Sequence, residues 1–256
     1  MDRDIFIKIY DKMIQESKEP VELVLEVNQK KPTIYNQILT PEDKIRQNPA
    51  LPFRFQTDVE GMHNFICIFQ DIVEKHQIAM QNLGPTLWAV YIATLSYFGN
   101  KRLAERDSAY NNIERDSDGM IINKIGILSA FQGKGSAKCS EKSAAVHNLL
   151  TVLYGNGNLG NYEPSIALSK VNDELHAFNI LRDEKQKKTL FFDTSYLVTD
   201  KDGMLYCGIY LVSDEDYNKF IHGKKIEPEL ITPGTEGVDN GKRQYGIEND
   251  EISNEI

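Results

Sequence analysis

The chain of 256 residues is poor in cysteine, holds a single tryptophan and has no long apolar run. Its three thiols, Cys67, Cys139 and Cys207, are too few and too scattered for a disulfide framework or a zinc ribbon. An odd number of thiols suits a reducing compartment. The opening MDRDIFIKIYDKM is charged and lacks the apolar centre of a secretory signal. The most apolar stretch, residues 87–98, is shorter than the roughly 20 residues a membrane helix needs. These absences predict a soluble, cytoplasmic protein without a membrane partner, export by a route lacking an N-terminal signature being left open. Positive charge is also scarce: 29 Lys and Arg face 38 Asp and Glu, for a net charge of -9. A polyanion is repelled on average by such a surface, so no nucleic-acid partner is expected, although a local basic patch is compatible with the total. What remains is ordinary for a globular protein, 41% apolar and 26% charged, and long enough to bury a real core.

Along the chain, Ile5, Phe6, Ile9, Tyr10 and Met13 recur at helical spacing, and Pro20 bounds them. Residues 32–52 are rich in turn signals and read as irregular. Met62, Phe65, Ile66, Phe69, Ile72 and Val73 mark a second helix, closed by Asn82, Gly84 and Pro85. A third is expected from Thr86, carrying Trp88, Tyr91, Leu95 and Phe98, with Gly99 as its stop. Residues 101–119 read as a polar linker or exposed loop. The apolar run from Met120 to Leu128 is of ambiguous type, with helix slightly favoured. A Gly-rich loop, GKGSAK, then leads into CSEKSAAVHNLLTVLYG, a helix ending at Gly155. Strand-like runs follow at 165–171, 175–181, 189–198 and 205–212, and Ser213 with Asp216 resembles a capping box opening a short helix. The order predicts an α+β fold: a mainly helical region over 1–118, able to share one domain with the rest, a core over 119–224, and a loose acidic tail over 225–256.

Three residues carry chemistry. Cys139 stands where a Gly-rich loop meets a helix, and the unsatisfied N–H groups and dipole of such a terminus favour a thiolate. Gly133 and Gly135 let the backbone approach a substrate closely. Glu141, in the same first turn, adds negative charge and opposes the thiolate, so a cationic partner is needed. His176 opens the run LHAFNIL and Asp193 lies inside the next, LFFDTSY. Paired as a hairpin, the two runs place imidazole and carboxylate side by side, which supplies a nucleophile, a base and a group that orients the base.

GKGSAKCSEKSAAVHNLL, LHAFNIL and LFFDTSY together resemble the transglutaminase-like superfamily, a papain-like group of thiol enzymes. The resemblance covers roughly residues 130–200. It implies a nucleophile-bearing helix packed on an antiparallel sheet, with Cys139 as nucleophile, His176 as base and Asp193 as orienting acid. The commoner tryptophan near the histidine is replaced by Phe178, which bears on substrate class. By looser analogy Gln132 is the candidate side-chain oxyanion donor, with Trp88 a weaker one.

Against these stand plainer readings. Cys67 and Cys207 read as small buried apolar residues. His63, His76 and His222 read as surface or helix-end residues, and Trp88 as core. A metal site from Cys139, His147, His176 and Asp193 lacks the close paired spacing of zinc sites, so no metal is expected. GKGS lacks the full phosphate-loop spacing, so no nucleotide or other cofactor is expected. The resulting expectation is a cysteine hydrolase or acyltransferase acting on a peptide bond or glutamine side chain of a protein or peptide. Hydrolysis is favoured because water is always present, whereas an amine acceptor needs its own site. The alternatives are a transglutaminase joining glutamine to an amine, an idle peptide-binding scaffold, and a protein that binds through its N-terminal helices.

Overall fold

The apolar stripes of the N-terminal half serve as burial surfaces. In the computed structural model, which describes residues 4–17, 22–25, 31–40, 43–47, 58–99, 114–115, 117, 121–124, 132–133, 137–171, 174–199, 205–227 and 229–230, α1 (Ile5–Glu16) buries Phe6 and Tyr10. α2 (Val59–Lys75) starts at Asp58, whose carboxyl accepts the Gly61 N–H at 2.6 Å, and buries Met62, Phe65, Ile66, Phe69, Ile72 and Val73. α3 (Leu83–Phe98) is apolar on nearly every side because nearly every side is buried, Trp88 included. It begins before the expected Thr86, since Gly84 and Pro85 are tolerated in a first turn whose N–H groups have no intrahelical partner. Gly99 stops it at φ 77°, a conformation that favours glycine.

The second half is a helix on a sheet. α4 (Cys139–Gly155) precedes strands β6 (Glu163–Val171), β7 (Glu174–Asp183), β8 (Lys188–Thr199) and β9 (Leu205–Val212), close to the runs read from sequence. With β2 (Thr33–Tyr35) and β10 (Glu229–Leu230) they form a six-stranded antiparallel sheet in the order β10-β9-β8-β7-β6-β2. Strand alternation divides its two faces. Leu181, Leu190, Phe192 and Ile209 join the core that contains α1, α2, α3 and α4. Phe178, Ile180, Phe191 and Val212 turn the other way, onto Phe220 and Tyr217 of α5 (Asp214–Ile221). Ser213 caps α5, accepting the Asp216 N–H at 3.1 Å as the capping box predicts. The N-terminal helices and the sheet thus share one core, and the fold is α+β.

Several expectations need correction. Residues 32–52 are not wholly irregular, because β2 pairs with β6, and β3 (Lys44–Gln47) pairs with β1 (Glu22–Leu25) and β5 (Ile121–Lys124). β5 lies in the run where helix was favoured; its pairing with β3 and with β4 (Glu114–Arg115) decides the type, which periodicity over so few residues does not. β4 also falls inside the stretch read as a linker. These four strands make a second sheet, β1-β3-β5-β4. The tail read from 225 begins inside the fold: Ile226 packs against the α5 cluster and β10 extends the sheet, while residues 231–256 lie outside the described residues. Cys67 is exposed, because it sits on the side of α2 opposite the Phe65–Phe69 stripe; the Cys207 side chain lies outside the described residues. Among the described residues, no helix is long and apolar enough to cross a membrane.

Phe65 is fully buried, with Tyr97 edge-on at 5.4 Å and Phe98 at 6.3 Å, so it joins α2 to α3. Phe65→Ala should lower the unfolding free energy by about 3–5 kcal/mol in urea titration. A loss below about 1 kcal/mol would show that the two helices do not depend on this contact.

Candidate active site

The first turn of α4 builds the nucleophile's setting. Cys139 is the first helical residue, half-exposed, so its N–H has no intrahelical carbonyl to bond. Glu141, expected from the sequence to oppose a thiolate, is fully buried and folded back on the helix start. Its Oε2 accepts the Lys138 N–H at 2.9 Å and the Ser140 hydroxyl at 3.1 Å, which fixes the turn that carries the sulfur.

The imidazole and carboxylate come from adjacent strands. His176 in β7 and Asp193 in β8 are both nearly buried, and His176 Nε2 lies 2.5 Å from Asp193 Oδ2. Asp193 Oδ1 accepts the Ser195 N–H at 2.8 Å, so neither carboxyl oxygen is free to rotate away. The His176 ring stacks on Phe178 at 6.1 Å. The Cys139 side chain also acts on the ring and raises its pKa. Burial by itself would pull the imidazole's pKa down. Hydrogen bonds to Asp193 and Cys139 and the charges of both outweigh it, and the pKa is pushed up to about 10. The structure therefore brings together Cys139, His176 and Asp193.

The remaining candidates have other surroundings. Gln132 is exposed, in a turn whose Gly133 N–H donates to the Tyr97 carbonyl at 2.7 Å, and among the described residues it makes no hydrogen bond to the three. Trp88 is buried in α3 with His76 edge-on at 5.5 Å. His147 lies two turns along α4, fully buried, with Nε2–H donating to the Gln37 carbonyl at 2.6 Å. Burial lowers its pKa to about 4 despite that carbonyl, so it stands as a neutral structural group. No cluster of three or more His, Cys, Asp or Glu able to hold a metal occurs among the described residues.

Sequence reading missed the residues that place the three. Gly208 of β9 lies opposite Asp193, and a Cβ there would collide with the Asp193 carbonyl oxygen. Directly after this pair the β8–β9 register slips. A glycine inside a strand is the signal of close backbone approach. Asn179, a fully buried amide within LHAFNIL, is a second such signal, since it interrupts an apolar strand. No family model, curated protein or solved structure matches the chain.

Two measurements check this geometry. Because the His176 pKa rises on folding from an ordinary value near 6.5, its contribution to stability is complete below about pH 6.5, declines above that, and is lost as pH passes about 10. The stability gap between the wild type and His176→Gln, measured in urea, should be widest at pH 6 and shrink towards pH 10; a flat gap contradicts the raised pKa. Gly208→Ala should cost about 1–3 kcal/mol by forcing the strands apart at Asp193, and should lower the His176 pKa in an NMR titration. An unchanged titration would mean that the carboxylate does not depend on this close approach.

Proposed function

We propose that the chain is a thiol-dependent acyl-transfer enzyme of the transglutaminase-like type, acting on an amide carbonyl and favouring hydrolysis, as a protease or deamidase does. The observation that supports this most directly is the position of His176, held by the Asp193 carboxylate and close enough to Cys139 for that side chain to raise the imidazole's pKa. A nucleophile at a helix start, backed by an imidazole whose orientation a carboxylate fixes, is the arrangement acyl transfer requires.

In this reading the Cys139 thiolate, with the His176 imidazolium as counter-ion, adds to the carbonyl carbon of a peptide bond or glutamine side chain. The oxyanion that forms meets the Cys139 N–H; Gln132 is retained as second donor on its place in the sequence alone. The carbon–nitrogen bond breaks, and the amine leaves with the proton from His176. Water then gives a proton to His176 and adds to the thioester. Collapse of that adduct releases the acid and restores the thiolate–imidazolium pair. Asp193 transfers no proton; it holds the ring and stabilises its charged form.

The test is intact-mass labelling with limiting iodoacetamide at pH 6, with the modified residue mapped. At that pH an ordinary thiol is only about 0.3% thiolate. Cys67 is the more exposed of the two described cysteines, so selective capture of Cys139 reports activation rather than access. His176→Ala should slow that capture by about 300-fold at most, the ratio between full thiolate and an ordinary thiol at pH 6. Cys139→Ala should abolish turnover of amide substrates with the fold intact. Capture that follows exposure, Cys67 ahead of Cys139, would sink the proposal in favour of an idle binding scaffold.

A further inference from the structure

Nucleophile and base sit on different layers, and two buried hydrogen bonds join those layers beside them. Ser143 follows Cys139 by one helical turn, on the same face of α4. Its hydroxyl donates to the carbonyl of Ala177, the residue after His176, at 2.9 Å. In return, the Asn179 amide donates from β7 to the Ser143 carbonyl at 3.0 Å. Both side chains are essentially inaccessible to solvent. The ladder between β7 and β8 begins at Asn179 and Phe192, so His176 lies beyond it and pairs across the backbone with Ser169 of β6. On its β8 side the base is held by Asp193 through its side chain.

We infer that Ser143 and Asn179 are positioning residues, a reciprocal clamp between α4 and β7 that sets the Cys139–His176 separation. This rests on the thiol-enzyme reading above. An apolar contact would hold helix to sheet equally well, but it would not fix the helix along the strand, because dispersion has no direction. Two hydrogen bonds running opposite ways, one from each layer, do fix it. Asn179 Oδ1 has no partner, so only the donating half of the amide is used, and that half points at α4.

The experiment measures the rate of Cys139 alkylation by iodoacetamide against pH, together with the melting temperature, in wild type, Ser143→Ala and Asn179→Asp. Ser143→Ala suits a helix interior and removes one bond while leaving the Asn179 donor in place. Asn179→Asp keeps the shape but presents an acceptor to the Ser143 carbonyl. Loss of the clamp should slow capture of Cys139 at pH 6 by about 10-fold or more, in line with the roughly 100-fold that a 1 Å misplacement of reacting groups can cost. It should also move the pH profile upward. A variant that melts early but keeps the wild-type pH profile overturns the inference, because that is the effect of a structural role alone. Should Asn179→Asp fail to fold, Ser143→Ala decides: folded and within 2-fold of wild type, it overturns the clamp. Absence of selective capture in the wild type removes the thiol-enzyme reading itself, whereas selective capture indifferent to both variants removes only the clamp.

Discussion

A thiol on a helix and an imidazole on a strand can cooperate only while helix and strand keep their relative position, and most of this fold maintains it. α4 lies on β6, β7 and β8, and is held from behind by α1, α2 and α3 in one continuous core. A buried side chain of that core contributes about 1.5–3 kcal/mol, far more than one net hydrogen bond, so packing supplies the stability. The polar contacts supply position. Asn148 of α4 accepts the Leu39 N–H and donates to the Leu39 carbonyl, both at 2.8 Å, while His147 takes the Gln37 carbonyl. These bonds tie the chain after β2 to the flank of α4, beside an apolar cluster that Cys139 and Tyr35 both touch.

The two histidines associated with α4 show how much the surroundings decide. His147, wrapped in apolar neighbours with a neutral carbonyl as its partner, is driven down to about 4. His176, nearly as buried, is driven up to about 10 by a carboxylate and a sulfur. Desolvation acts in the same direction on both. The difference lies in whether a negative charge is present to compensate for burying a positive one. One imidazole therefore remains a neutral peg at neutral pH, and the other remains a cation beside the thiol.

Much of this was legible in the sequence, for reasons specific to each element. β6 to β9 and α4 could be read because apolar periodicity runs long enough to separate 2 from 3.6, and because glycine and charged turns interrupt it. Cys139, His176 and Asp193 were legible because each falls at a place that strand and helix patterns define: a helix start and two neighbouring strands. The short strands β1 to β5 were not, since two to four residues carry no period and most of their pairing is with distant segments. The exposed side of Cys67 was missed by judging a cysteine from its apolar neighbours rather than from its angle on the helix. Gly208, Asn179 and Ser143 were missed for a different reason. Gly208 and Asn179 do interrupt their strands, but what each of the three touches is an atom on another element, which no local pattern gives.

That last group shows where local consistency yields to geometry. Glycine is a poor strand former, and a buried amide with one unsatisfied oxygen costs more than an apolar side chain of the same shape. Leucine at 179 and alanine at 143 would match their apolar neighbours better. A chain selected for stability alone has no reason to keep such residues together around one imidazole. Their concentration within a few residues of Cys139, His176 and Asp193 is what a site under geometric constraint produces, where a fixed direction matters more than a deeper minimum. The departures from good packing therefore point to the same place as Cys139, His176 and Asp193, and they do so independently of the order of those side chains in the sequence.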